Sequence, residues 1–122
     1  MSKDSYYFKH DQNARHDPKI QVLIEDYGLE GYGRFWVIVE MLRENDKHKL
    51  ENKNFVWLCL AHELKAPVLE VKKFIKDCVE KYELFIQEDG FFYSAALLKR
   101  MAVLDELRAK RKRAAEIRWD KE

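Results

Sequence analysis

The chain has 122 residues, of which 47% are hydrophobic, 13% aromatic and 37% charged, and 23 Lys and Arg nearly balance 22 Asp and Glu for a formal charge of +1. That apolar share excludes a largely disordered chain, and the length suits one domain able to bury its own core. No uncharged run approaches the ~18 residues a membrane span needs. The amino terminus lacks an apolar signal core, and the two cysteines fit a reducing cytosol, so a soluble cytoplasmic protein without membrane contact is expected.

The overall balance hides an asymmetry. From Lys99 onward nine basic residues face five acidic ones, a net +4, which leaves −3 for residues 1–98. A mildly acidic body with a basic tail directs any anionic partner to the tail.

In chain order, Tyr6, Tyr7 and Phe8 make an apolar opening, followed by a polar stretch from Lys9 to His16. Asp17 and Pro18 start a helix, one as cap and the other in the first position, with Ile20, Leu23, Ile24 and Tyr27 on one face. Gly28 is expected to end it in a left-handed conformation. After Leu29, Glu30 and Gly31, a second helix repeats Tyr32, Phe35, Trp36, Val39 and Leu42 up to about Asn45. Lys47 to Lys53 is polar around Leu50 and suits one short strand.

Asn54 can cap a buried helix from Phe55 to Leu64. Lys65, Ala66 and Pro67 break the chain, and Pro67 fits the first turn of a helix running from Val68 to Tyr82. On that helix Val68, Val71, Ile75, Cys78, Val79 and Tyr82 share the core face, Lys72, Lys73 and Lys76 lie on one flank, and Glu70 and Asp77 on the other. Leu84 to Glu88 and Phe91 to Ser94 flank Asp89-Gly90, a dipeptide suited to the positive φ angles of a type I′ turn. A last helix begins near Ser94 or Ala95, with an apolar stripe of Leu97, Leu98, Met101, Leu104 and Leu107 that stops there. The expected fold is mainly α with a small β-hairpin: a winged helix, built from a helix-turn-helix and a wing, with two helices before it and a long basic helix after it. Residues 1–107 form the domain and 108–122 a basic helical tail or linker to a missing C-terminal region.

The segment from Tyr7 to Ile20, with His10-Asp11, Arg15-His16 and Asp17-Pro18-Lys19, continues into Tyr27-Gly28-Leu29-Glu30-Gly31-Tyr32-Gly33-Arg34-Phe35-Trp36. It resembles the N-terminal domain of phage-type replisome organisers and DnaD-like replication initiation proteins. The similarity is strongest over residues 7–43 and extends more loosely to Arg118-Trp119. It implies a winged-helix module for oligomerisation and DNA association in DNA replication, usually followed by further C-terminal sequence.

Few residues suit other chemistry. His10, Asp11, His16 and Asp17 are able to ligate a divalent metal, but helix capping and local hydrogen bonding account for them as well. Cys59 and His62 sit one turn apart with Cys78 on the next helix, and a core location is expected for them in place of a zinc site. There is no nucleophile elbow, phosphate-binding glycine loop or carboxylate pair, so neither an enzyme nor a cofactor or metal is expected. Gly28, Gly31 and Gly33 read as a tight helix junction. Tyr32, Phe35 and Trp36 suit the core, whereas Tyr6, Tyr7 and Phe8 suit an exposed patch for self-association.

The nucleic-acid signal is the run at Arg108, Lys110, Arg111, Lys112 and Arg113, with Arg118 beyond it; Lys72, Lys73 and Lys76 form a weaker second patch. The helix from Val68 to Tyr82 has no Arg, Asn or Gln to read base edges, and Glu88 and Asp89 at the hairpin tip repel phosphates. The expected function is a non-catalytic replication-associated module that self-associates as a homo-oligomer and binds DNA weakly and largely without sequence preference, with other replication proteins as further partners. The alternatives are a protein-interaction domain without DNA binding and a sequence-specific winged-helix transcription regulator.

Overall fold

Asp17 and Pro18 open the first long helix as their chemistry requires. The Asp17 carboxylate accepts the Lys19 N–H at 2.8 Å, and Pro18, which has no N–H to leave unsatisfied, takes the first turn. The computed structural model describes residues 14–120, with the side chains from 118 onward excepted, so Tyr6, Tyr7, Phe8, His10 and Asp11 lie outside the described residues. After a short 3-10 turn (Ala14–His16) come α1 (Pro18–Glu44), β1 (Lys49–Glu51), α2 (Asn54–Leu64), α3 (Val68–Glu80), β2 (Ile86–Glu88), β3 (Phe91–Tyr93) and α4 (Ala95–Asp120). The described fold is mainly helical, with a three-stranded antiparallel sheet in the order β1-β3-β2.

The two helices expected before residue 45 both form, and they meet at a kink at Gly28 inside the span given as α1. Gly28 departs from helical geometry with φ 72 and ψ −168, and the helix resumes at once, without the Leu29–Gly31 connection the sequence predicts. A single glycine absorbs the whole kink because positive φ costs it little. Gly31 is buried, and a Cβ there would stand 2.3 Å from Tyr27 Cβ, so only glycine lets the chain after the kink close on the turn before it.

Three boundaries around α2 and α3 differ from expectation. Lys53, in extended conformation, precedes α2 without a side-chain cap bond, and Asn54 is the first helical residue. Pro67 stands one position before α3, at φ −60 and ψ 147, and that helix ends at Glu80. Lys65 closes α2 in the left-handed region at φ 53. The core face of α3 contains Val71, Ile75 and Cys78, with Tyr82 buried just past its end and Val68 and Val79 half-buried. Phe74, absent from the predicted set, is fully buried there and meets the Tyr27 ring edge-on at 5.0 Å.

Burial of α2 is the larger correction. Only Trp57 and Leu60 are buried, while Phe55 is 61% and Leu58 55% exposed. Cys59 and His62 are exposed as well, against the core location expected for them, and only Cys78 is a buried thiol. A helix apolar on all sides gives no periodic signal to choose the buried face.

The hairpin follows its turn residues. Asp89 and Gly90 have φ 54 and 79, and β2 pairs with β3 from Glu88↔Phe91 to Ile86↔Tyr93. On the other edge β1 pairs Leu50 with Phe92, the strand expected around Leu50. Phe92 therefore faces the core, where it joins Phe85, Trp57, Leu23, Ile38, Leu42, Phe74, Leu97 and Met101 in one cluster. Ser94 is buried and its hydroxyl accepts the Leu97 N–H at 3.2 Å, which starts α4 where the sequence predicts. No helix among the described residues is long and apolar enough to cross a membrane.

Candidate nucleic-acid interface

On α4 the apolar stripe fades earlier than expected. Leu97 and Met101 are buried and Leu98 and Leu104 half-buried, but Leu107 is 42% exposed. The helix nevertheless continues to Asp120 without a break at 107. Placed at about 100° per residue, Arg108, Arg111 and Lys112 fall within roughly 60° of the direction that Leu97, Met101 and Leu104 occupy. The face that packs on the body thus becomes cationic as the helix runs past it. Lys110 and Arg113 point to the opposite side, so the five cations of the run cannot all meet one phosphate row.

Residues 109–117 are exposed throughout and Arg108 is half-buried. Arg108 pairs with Asp105 at 3.6 Å and Lys110 with Glu106 at 3.6 Å, each one turn back along the helix. Exposed pairs of this kind are worth well under about 1 kcal/mol, so a phosphate can replace the carboxylate at little cost. Arg118 falls among the residues whose side chains are not described.

The second patch is shaped by what the acidic flank of α3 does. Asp77 accepts a hydrogen bond from the Tyr27 hydroxyl, and Glu70 stands 3.7 Å from Arg34, so that flank is turned to α1. Lys72, Lys73 and Lys76 are left on the exposed side. Lys72 Nζ lies 5.7 Å from the Trp57 ring centroid, and the Trp57 indole N–H donates to Asn52 Oδ1 at 2.7 Å. The Asn52 N–H in turn donates to the Gly90 carbonyl at 2.7 Å, which ties α2 to the hairpin tip. Lys72 and Lys76 border the groove so formed, with Gln87 and Glu80 on its rim. Gln87, exposed on β2, is a side-chain amide next to the repelling Glu88 and Asp89 of the hairpin tip, and it was not among the expected contacts.

A further polar cluster holds α1 to α3. The Tyr82 hydroxyl donates to Asp26, which also meets Lys81 Nζ at 2.7 Å. The Lys81 bond, with that of Tyr82, holds the Asp26 carboxyl below its ordinary value, and Asp26 raises Lys81 in return. Burial first, then the bond to an aspartate, raises the hydroxyls of Tyr27 and Tyr82. Among the described residues no group of three or more His, Cys, Asp or Glu is placed to hold a metal ion.

No curated protein and no solved structure matches the chain. A family model described as "Lin1244/Lin1753-like, N-terminal" matches residues 7–97, a span that takes in the helices and sheet of the body and ends before the basic run of α4. The chain belongs to the Lin1244/Lin1753-like N-terminal family.

Proposed function

We propose that the chain is a non-catalytic DNA-associated module of the replication type that residues 7–43 resemble, which self-associates and holds duplex DNA weakly through the basic segment of α4. One observation carries the DNA part: Arg108, Arg111 and Lys112 continue the core face of α4 beyond Met101, the last buried residue of that helix among those whose side chains are described. We also read the order α2, α3 and hairpin, with β1 closing the sheet, as a winged helix. In that reading the outward lysines of α3 add weaker phosphate contacts. Replication proteins are its further partners, Tyr6, Tyr7 and Phe8 contribute to self-association, and the cytoplasm is its compartment.

Mobility shifts with random duplexes over a salt series test this. About three cations on one face predict that log K falls with log salt at a slope of about −3, shallower than all five would give. Cutting the chain after Leu107 should abolish the shift and leave the melting temperature nearly unchanged, whereas Lys72→Glu, Lys73→Glu and Lys76→Glu together should weaken it less. A truncated chain that binds as tightly as the whole one overturns the assignment to α4. A preference above ~1000-fold for one sequence would make the chain a transcription regulator. A second reading, a protein-interaction domain without DNA binding, is favoured by the exposed Phe55 and Leu58 and predicts no shift at all.

A further inference from the structure

β2 is an outer strand of the sheet, and the register fixes which of its backbone groups look outward. The Asn52 N–H donates to the Gly90 carbonyl, so along β3 it is Gly90 and Phe92 that bond toward β1, and Phe91 and Tyr93 that bond toward β2. Their partners Glu88 and Ile86 therefore use their backbone groups inside the sheet, while the N–H and C=O of Gln87 between them point off its edge. Two residues earlier, at the same parity, the Phe85 N–H is covered by the Cys78 carbonyl at 3.2 Å. At Gln87 no described residue bonds the edge, and Ile86, Gln87 and Glu88 are all exposed. We propose that this edge takes one extended segment of another protein as a fourth strand, antiparallel to β2, in which a basic, an acidic and an apolar residue follow one another. The inference goes beyond the reading above, since it needs neither the cations of α4 nor self-association.

The order of the three residues follows from the faces of β2. Gln87 stands opposite Phe92, so its side chain lies on the helix side of the sheet, where it shares a groove with Lys72 and Lys76. A side chain paired with Gln87 lies on that same side. Two lysines against the single Glu80 of the groove select a carboxylate there, and no described carboxylate pairs with either lysine. Ile86 and Glu88 face the other way, so the residue opposite Glu88 is basic and the one opposite exposed Ile86 is apolar. Glu88 accepts the Tyr93 hydroxyl at 2.9 Å and keeps its second carboxylate oxygen for that cation. Along an antiparallel segment the order is Lys-Glu-Val. A second copy does not meet this pattern, because β2 against β2 about Gln87 sets Glu88 against Ile86 and offers the lysines no acid. A nucleic-acid strand does not meet it either, since Glu88 and Asp89 repel its phosphates at this edge. So short a strand covers far less than the ~800 Å² per partner of a standard interface, and binding is weak.

Titrating the full chain with the capped peptide Thr-Thr-Lys-Glu-Val-Thr-Thr, while following hydrogen exchange at the Gln87 amide by NMR, provides the test. Peptide at about ten times its dissociation constant should slow that exchange about tenfold. The same peptide methylated on the glutamate nitrogen cannot donate to the Gln87 carbonyl and should fail to slow it, with the protein unaltered. Thr-Thr-Lys-Lys-Val-Thr-Thr should bind about tenfold more weakly, and Lys72→Glu with Lys76→Glu should reverse that preference. Full slowing by the methylated peptide overturns the added strand. Equal binding of the two charge patterns, or a preference that survives the lysine variants, overturns the selection of the acid. No slowing at millimolar peptide overturns the edge altogether. Slowing that appears without peptide and grows with protein concentration gives the edge to a second copy, and slowing by a random DNA duplex gives it to nucleic acid; either overturns the partner named here.

Discussion

α2 and α3 are neighbours of 11 and 13 residues, yet they use their sequences in opposite ways. α3 separates its functions around the cylinder: Val71, Phe74, Ile75 and Cys78 inward, Asp77 and Glu70 toward α1, lysines outward. α2 is apolar inside and out, so burying Trp57 and Leu60 leaves an equally apolar row in water. The difference teaches that apolar content alone says a helix is wanted by something. Periodicity says by what.

The sharpest way to break this contrast is to truncate one phenylalanine from each helix. Phe74→Ala should cost about 3–5 kcal/mol in a denaturant melt, because the cavity forms where nothing is exposed, while Phe55→Ala should stay within about 0.5 kcal/mol at dilute concentration. Equal costs would mean that α2 is as deeply seated as α3. A smaller effect is expected for Trp57→Phe, which keeps most of the ring but loses the bond to Asn52, at about 1 kcal/mol, more if Asn52 finds no other donor. No loss would show that the link from α2 to the hairpin contributes nothing.

The smallest effect sharpens the α3 side. Tyr82→Phe should cost about 1 kcal/mol and change the pH profile of the melting temperature. The lowered Asp26 carboxyl contributes stability that is present above its ordinary value of 3.8 and lost as pH falls through the folded value. The raised Tyr82 hydroxyl works the other way, with a contribution present below its ordinary value of 10 and lost as pH rises through the folded value. The variant should therefore show a shallower alkaline decline, and superimposable alkaline arms would remove Tyr82 from the clasp.

The legible parts of the sequence were those with a strong local rule. Asp17-Pro18, Asp89-Gly90 and Ser94 placed their turn and caps because each depends on neighbours within a few residues. Phe74 escaped although it borders the same arc as Val71 and Cys78, so that signal was present in the spacing. Cys59 and His62 were misplaced for a different reason: a helix with no polar face gives no phase, and the tendency of cysteine toward burial filled the gap. The Tyr27–Asp77 and Tyr82–Asp26 bonds join residues 50 and 56 positions apart, and nothing local announces such pairs. The cationic run of α4 was plain to read, but its direction depends on the helix continuing unbroken past Leu107.

That continuity makes α4 a phased shaft. Its 26 residues extend about 39 Å, and the azimuth of Arg108, Arg111 and Lys112 is locked to that of Leu97 and Met101 by the helical repeat alone. One residue inserted between Leu107 and Arg108 would swing the cations by about 100° around the axis without touching the body, whereas seven would return them to within about 20° and only lengthen the reach. The distance between core and charge can therefore vary in whole turns, and little in between.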